Sequence, residues 1–349
     1  MPRVVRFVTD ASMKGLRAVV TGGAGFIGSE LTRQLVQRGV AVTVLDNFAS
    51  GKKEYLAGLP VRIVEGDICD KEKVAETLKD QAIVYHVAAL PFIPDSYANP
   101  EEFFRVNVEG TIALMRHAIE SESVERFVYL SSSEVYGTAQ TVPMAEDHPT
   151  LPRSTYAVSK LAADRTVFTL YREHGLPSVI VRLFNSYGPN ITQPYIVPEI
   201  ALQLLEGKGI LKLGNVDSSR DFTFVEDSVR AIILSSLSKD AIGEVINVGS
   251  GEDVTIIRLA RYIASVVGSE FSLENDPSRF RPYDVDRLVC DNSKAKRVLG
   301  WEPKVELQEG LRRTVHWIRK HPVTFKAPFR GCAAWYRTPR LPASRRSEP

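Results

Sequence analysis

The sequence predicts an α/β fold, a doubly wound parallel sheet followed by a smaller C-terminal α/β region. Three observations predict it. Short β-branched runs alternate with helical stretches through the first half of the 349 residues. The first run passes directly into a turn with spaced glycines, Gly22, Gly25 and Gly28. An acid, Asp46, closes the second run.

Taken in order, residues 17–21 read as the first strand, 26–38 as a helix and 41–46 as the second strand. Further strands fall at 61–65, 83–87, 127–131 and 178–183, each far enough from the last for the crossover helix that parallel pairing needs. Beyond Phe184 the pattern loosens into loops rich in Pro, Gly and Asn, with helices at 197–206, 226–237 and 256–267 and a last helical signal at 307–319. Those loops are expected to cap the carboxyl edge of the sheet. The expected division is an N-terminal extension (1–14), a dinucleotide-binding Rossmann unit (15–184, completed by about 223–250), a substrate region (185–222 and 251–321) and a basic tail (322–349).

Composition bounds the function. Hydrophobic residues make up 44% and charged residues 25%, as in ordinary globular proteins, and no window reaches the roughly 18 uninterrupted apolar residues of a membrane span. Residues 1–14 lack the apolar run and small-residue site of a signal peptide, so a cytoplasmic location is expected. Cys69, Cys290 and Cys332 lie far apart, without the spacing of a disulfide framework or a metal site. The net charge of +2 is uneven: Lys326, Arg330, Arg337, Arg340, Arg345 and Arg346 face only Glu348 in 323–349. Prolines punctuate that stretch, which reads as a disordered extension rather than a nucleic-acid site.

Each glycine of the turn has a use. Gly22 permits the tight bend, Gly25 lets the backbone approach a pyrophosphate at the positive end of the helix, and Gly28 lets helix and strand pack closely. Phe26 and Ile27 belong to the same turn. Asp46, with Asn47 beside it, is placed to accept hydrogen bonds from an adenosine ribose and to repel a 2′-phosphate, which favours NAD over NADP. Asp67 and Ile68, after the third strand, are expected near the adenine. Tyr156 and Lys160 stand four residues apart on one helical face. A lysine ammonium, together with an oxidised nicotinamide, is expected to lower the phenol from its usual value of about 10 so that it can take a hydroxyl proton. Before them, a strand runs into Ser131-Ser132-Ser133-Glu134, setting hydroxyls and a carboxylate at the sheet's ligand-binding edge.

The glycine turn, the serine cluster, Tyr156 with Lys160, and the run Arg182-Leu-Phe-Asn-Ser-Tyr-Gly-Pro189 together resemble the extended short-chain dehydrogenases, particularly the nucleotide-sugar epimerases and dehydratases, over about 16–320. The resemblance implies that Ser132 hydrogen-bonds the reacting sugar oxygen, Tyr156 is the base and Lys160 binds the nicotinamide ribose. It sets Ala88 and Ala89 beside the cofactor with Asn107 behind it. On the substrate side it implies Asn185 at the sugar or its diphosphate, Arg220 and Arg281 at the diphosphate, and Ser133 and Val197 as further contacts. The substrate is then a UDP- or GDP-linked sugar and no metal is required. The Ser133-Glu134 pair is similar to that of the retaining N-acetylglucosamine 4,6-dehydratases of legionaminic acid biosynthesis, in which a carboxylate serves as base at carbon 5. A 4-epimerase would not need Glu134, and UDP-glucuronate decarboxylases carry the same pair. A protein that binds NAD only as a sensor would need no positioned base. The stretch 102–119 carries more apolar positions than one core-facing stripe uses, and the resemblance implies a homodimer through this helix and the one bearing Tyr156.

Overall fold

Strand β1 (Arg17–Thr21) is apolar and β-branched, and all but its first residue are buried. The computed structural model describes residues 13–321, so most of the expected N-terminal extension and the whole tail, with Cys332, lie outside the described residues. From β1 the chain runs through α1 (Phe26–Gln37), β2 (Ala41–Asp46), β3 (Arg62–Glu65), α2 (Lys71–Leu78) and β4 (Ile83–His86). Next come α3 (Ile93–Ala98), α4 (Pro100–Phe104), α5 (Thr111–Glu120), β5 (Arg126–Ser132), α6 (Thr155–His174) and β6 (Ser178–Leu183). The later elements are β7 (Asn185–Tyr187), α7 (Ile196–Leu205), β8 (Ile210–Leu213), β9 (Ser219–Phe224), α8 (Val225–Leu237), β10 (Val245–Val248), β11 (Asp253–Thr255), α9 (Ile256–Val267), β12 (Ser272–Asn275), α10 (Ser293–Leu299) and α11 (Leu307–Lys320).

Seven strands form one sheet in the order β10-β6-β5-β4-β1-β2-β3, every pair parallel. The doubly wound α/β prediction therefore holds. β4, β5 and β6 are buried along their whole length, as strands covered by helices on both faces must be. The chain moves outward in one direction from β1 and in the other from β4, so the crevice between the ends of these two strands is the topological switch point. Register sets Thr21 opposite both Leu45 and His86, which brings the glycine turn level with the segments that follow β2 and β4.

The apolar stretch 102–119 is not one regular helix. Between α4 and α5 lies a π-helical turn, Arg105–Gly110, a widening that often re-aims a side chain at a functional site. Here it delivers Asn107. Beyond β6 the loops expected from the sequence hold five short strands: β11-β9-β7 form a three-stranded sheet and β12-β8 a parallel pair. These strands lack a clear apolar alternation because β9 buries Arg220 and Asp221, whereas the exposed β12 is polar at three of four positions. No helix among the described residues is long and apolar enough to cross a membrane.

Candidate active site

Gly22 has a positive φ of 68°, and a Cβ there would lie 2.8 Å from the Ala88 Cα. A Cβ on Gly28 would lie 2.0 Å from the Gly22 carbonyl oxygen, closer than any atom can sit. The first glycine thus fits the turn against the segment after β4, and the third lets α1 close over the turn itself. Gly23, which the sequence reading passed over, is as restricted: its Cβ would meet both Val44 methyls at 2.8 Å. Gly25 caps α1 without a side chain, leaving the helix's first N–H groups open to an anion.

This cradle opens on a cavity of about 600 Å³ lined by Gly22, Gly25–Gly28, Asp46, Asn47, Asp67, Ile68, Ala88 and Ala89. Its volume, its glycine lining and the acid in its wall fit a dinucleotide. Asp46 also serves the protein itself. Its two oxygens accept hydrogen bonds from the N–H groups of Ala24 (2.9 Å) and Phe48 (2.8 Å), fastening the glycine turn to the end of β2. Burial raises its pKa, against the pull of those two N–H groups. Next to it the Asn47 amide donates to Asp67 at 3.1 Å. Burial works to raise the Asp67 carboxyl, but hydrogen bonds from Cys69 N–H and Asn47 outweigh it and leave its pKa lowered.

The wall after β4 is braced from below. The Thr21 hydroxyl oxygen accepts from the N–H groups of Val87 and Ala88, both at 3.2 Å. His86 bridges Thr21 and Thr111, each at 2.8 Å, and burial pushes its pKa down to about 3, so it is a neutral strut. Asn107 accepts from Leu90 N–H at 2.8 Å and donates to the Leu90 carbonyl and the Ser159 hydroxyl. The π-turn thereby joins the cavity wall to α6, the helix that carries Tyr156.

Ser154 caps α6 by accepting from Ala157 N–H at 3.1 Å. One turn beyond Tyr156, the Lys160 ammonium lies 4.4 Å from the centre of the Tyr129 ring and donates to the Leu130 carbonyl at 2.6 Å. Burial pushes its pKa down to about 7, which Asp164 partly offsets. The expected fall in the Tyr156 pKa depends on an oxidised nicotinamide as well as on Lys160, and the protein's own groups on balance act in the other direction. Burial pushes this phenol up to about 12, a hydrogen bond with the Ser132 hydroxyl opposes that, and the Glu134 charge adds to it. Lys160 has turned toward the β5 backbone, so among the protein's own groups Ser132 alone favours the phenolate.

Ser132 ends β5, and its hydroxyl accepts from Glu134 N–H at 3.2 Å. Ser133 and Glu134 occupy the buried turn that follows. The Glu134 charge is felt by Tyr156 on one side and by Arg220 on the other. Arg220 is 5% exposed in β9; burial depresses its basicity, while Glu134 restores part of it. Arg220 and Arg281 each lie 3.5 Å from the same Asp284 oxygen. Arg153, unrecognised in the sequence, joins this group: it donates to the Asp284 carbonyl at 2.7 Å and stacks on Tyr283. No short-range signal marks it, because its partners are about 130 residues away. Asn185 opens β7 at the edge of this region. The side chain of Val197 packs in the main apolar core, so only its backbone, in the first turn of α7, can face a ligand. Among the described residues no cluster of His, Cys, Asp or Glu could hold a metal ion.

The family model described as GDP-mannose 4,6 dehydratase matches residues 19–314. A UDP-N-acetyl-alpha-D-glucosaminuronate decarboxylase from Bacillus cytotoxicus is 32% identical over 319 residues, covering 87% of this chain and 98% of the relative. A dTDP-glucose 4,6-dehydratase from Streptomyces venezuelae, solved with NAD bound, superposes with a TM-score of 0.82 at 33% identity, covering 88% and 98% of the two chains. An epimerase from Methanothermobacter thermautotrophicus superposes with a TM-score of 0.83 at 32% identity, covering 89% and 94%. By these likenesses the chain belongs to the GDP-mannose 4,6-dehydratase family of extended short-chain dehydrogenases, the NAD-dependent enzymes that rebuild nucleotide-linked sugars.

Proposed function

We propose that this chain is an NAD-dependent 4,6-dehydratase that acts on a UDP- or GDP-linked hexose, N-acetylglucosamine among the candidates, by way of a 4-keto sugar. One observation carries the reading. Glu134 is a buried side chain in the turn after Ser132, near enough to both the Tyr156 phenol and the Arg220 guanidinium for its charge to act on each, which supports its assignment as the base for sugar carbon 5.

The glycine turn and the N-terminus of α1 receive the pyrophosphate, and Asp46 faces the adenosine ribose, with no room in its charge for a 2′-phosphate. Arg220 and Arg281, gathered by Asp284, present guanidinium groups to the sugar diphosphate, beside Asn185. Ser132 and Tyr156 address the hydroxyl on carbon 4, and Tyr156 takes its proton. When bound, the dinucleotide supplies the two-electron acceptor at that carbon and the positive charge that the Tyr156 phenol lacks in the protein alone. The carbon-4 ketone acidifies carbon 5, and Glu134 removes that proton. The hydroxyl on carbon 6 then leaves as water, taking the proton that Glu134 has just gained, since Ser133, buried beside it, has no acidic proton to offer; the two electrons and the hydrogen taken from carbon 4 would return to carbon 6, and a solvent-derived proton would close carbon 5.

Decarboxylation is the second reading, because a buried arginine beside Glu134 would equally suit a carboxylate on carbon 5 of the sugar. Incubation with UDP-N-acetylglucosamine, UDP-glucose, UDP-glucuronate and their GDP counterparts in deuterated water, read by mass spectrometry, separates the cases. Loss of about 18 Da with deuterium incorporated supports dehydration through carbon 5. Loss of carbon dioxide establishes the decarboxylase, and an isobaric product without deuterium establishes a 4-epimerase.

A homodimer belongs to the same proposal. Phe104 at the end of α4 is 37% exposed and Val158 on α6 is 40% exposed, and α4 packs against α6. These apolar groups give a second copy a face to cover.

A further inference from the structure

Tyr195 holds the N-cap position of α7, and Phe92 holds the N-cap position of α3. Both line the cavity, and their rings meet edge to face with centroids 6.3 Å apart. One comes from the loop after β4 and the other from the substrate side, so the pair forms an aromatic wall between the dinucleotide cradle and the sugar region. The Tyr195 hydroxyl accepts and donates no hydrogen bond among the described residues, and it is not among the buried polar atoms sealed off from solvent. The Tyr129 hydroxyl is likewise unpartnered among the described residues but is sealed from solvent, whereas four other tyrosines are paired. Tyr55, Tyr85, Tyr136 and Tyr187 each give their hydroxyl a protein partner at 2.7–3.1 Å. A largely enclosed phenol with its ring fixed by packing and its O–H left to a cavity is a group waiting for a ligand oxygen. Burial raises its pKa, and an ionised Tyr156 nearby would raise it further, so Tyr195 stays a neutral donor when Tyr156 loses its proton.

We infer that Tyr195 is a specificity-determining residue whose hydroxyl donates a hydrogen bond to a sugar hydroxyl that flanks the reacting carbon, at position 3 or 6, while Tyr156 addresses the hydroxyl on carbon 4. The inference rests on the nucleotide-sugar reading above. It assigns the substrate a contact from α7 that neither the serine cluster nor the arginines make. A site built around such a donor rejects an analogue that lacks the matching hydroxyl, because the phenol is then left unpaired.

The test compares wild type with Tyr195→Phe, which keeps the ring and its packing on Phe92. Binding of UDP-N-acetylglucosamine, UDP-glucose and GDP-mannose, and of the 3-deoxy and 6-deoxy analogues of whichever binds, is measured by calorimetry on NAD-loaded protein. NAD affinity and the melting temperature are measured beside it. The expected result is a weakening of the parent sugar of about 5- to 30-fold in Tyr195→Phe, no change for one of the two deoxy analogues, and unchanged NAD affinity. Equal weakening of the parent and both analogues would make Tyr195 a packing residue and overturn the proposal. So would unchanged sugar binding, or a loss of NAD affinity that follows the hydroxyl. Failure of wild type to bind any of the three nucleotide sugars would instead overturn the substrate class on which the proposal stands.

Discussion

At the scale of single residues, Lys160 and Glu134 show how the site opposes stability to chemistry. Lys160 is 4% exposed and its ammonium has one carbonyl partner, Leu130. Its folded-state pKa of about 7 lies below its ordinary value, so the folded form resists holding the proton that the unfolded form keeps. The stability this costs is lost as pH falls from about 10.5 toward about 7 and stays lost below that. Lys160→Met should therefore melt at a higher temperature than wild type when both are free of dinucleotide, with a larger gain at pH 6.5 than at pH 9.5, while activity is abolished; thermal melts at the two pH values check this. Glu134→Gln is its counterpart in chemistry. It should lower turnover by about 10²- to 10⁴-fold and abolish deuterium incorporation at carbon 5, with NAD binding unchanged by calorimetry.

At the scale of elements, the turn between β1 and α1 tolerates no added atom at its third glycine. Gly28→Ala would drive a methyl into the Gly22 carbonyl, and the variant should lose at least about a hundredfold in NAD affinity, read by fluorescence titration, through displacement of α1 from the pyrophosphate position. This turn was legible in the sequence because its information is local: strand, glycines, helix and acid follow each other within thirty residues. The Tyr156–Lys160 pair was legible for the same reason, one helical turn being enough to write it. The π-turn that aims Asn107 was not, since apolar residues in 102–119 look the same whether the backbone hydrogen bonds close at four residues or five. Nor were β7, β8, β9, β11 and β12. Their residues are set by what they meet across the chain, as when Asp221 in β9 accepts from Ser250, Gly251 and Cys290. The same holds for the direction of the Lys160 side chain, which reaches the Leu130 carbonyl of β5.

Across the whole molecule, one buried polar network ties α6, the helix bearing Tyr156, to the far edge of the sheet. Arg182 of β6, 3% exposed, forks onto the fully buried Asp164 of α6 at 2.9 and 3.2 Å and donates to the Tyr136 hydroxyl, which in turn donates to Asn247 of β10 at 2.7 Å. Asp164→Asn should cost about 3–5 kcal/mol in urea unfolding by leaving the Arg182 guanidinium unpaired in the interior. Light scattering reports on the proposed homodimer: Phe104→Glu should shift wild-type dimer to monomer by placing a charge on the α4 face. The last strand to enter the large sheet, β10, arrives only after the chain has left for β7, β8 and β9 and come back. Its place beside β6 means that a ribosome must have released more than sixty further residues before the edge of β6 can be covered. During that interval the nascent N-terminal half presents the backbone of Ile180–Leu183 to any other chain in reach. A gene fragment ending at residue 184 should for that reason yield insoluble protein, although it encodes the entire glycine cradle and the Tyr156–Lys160 pair.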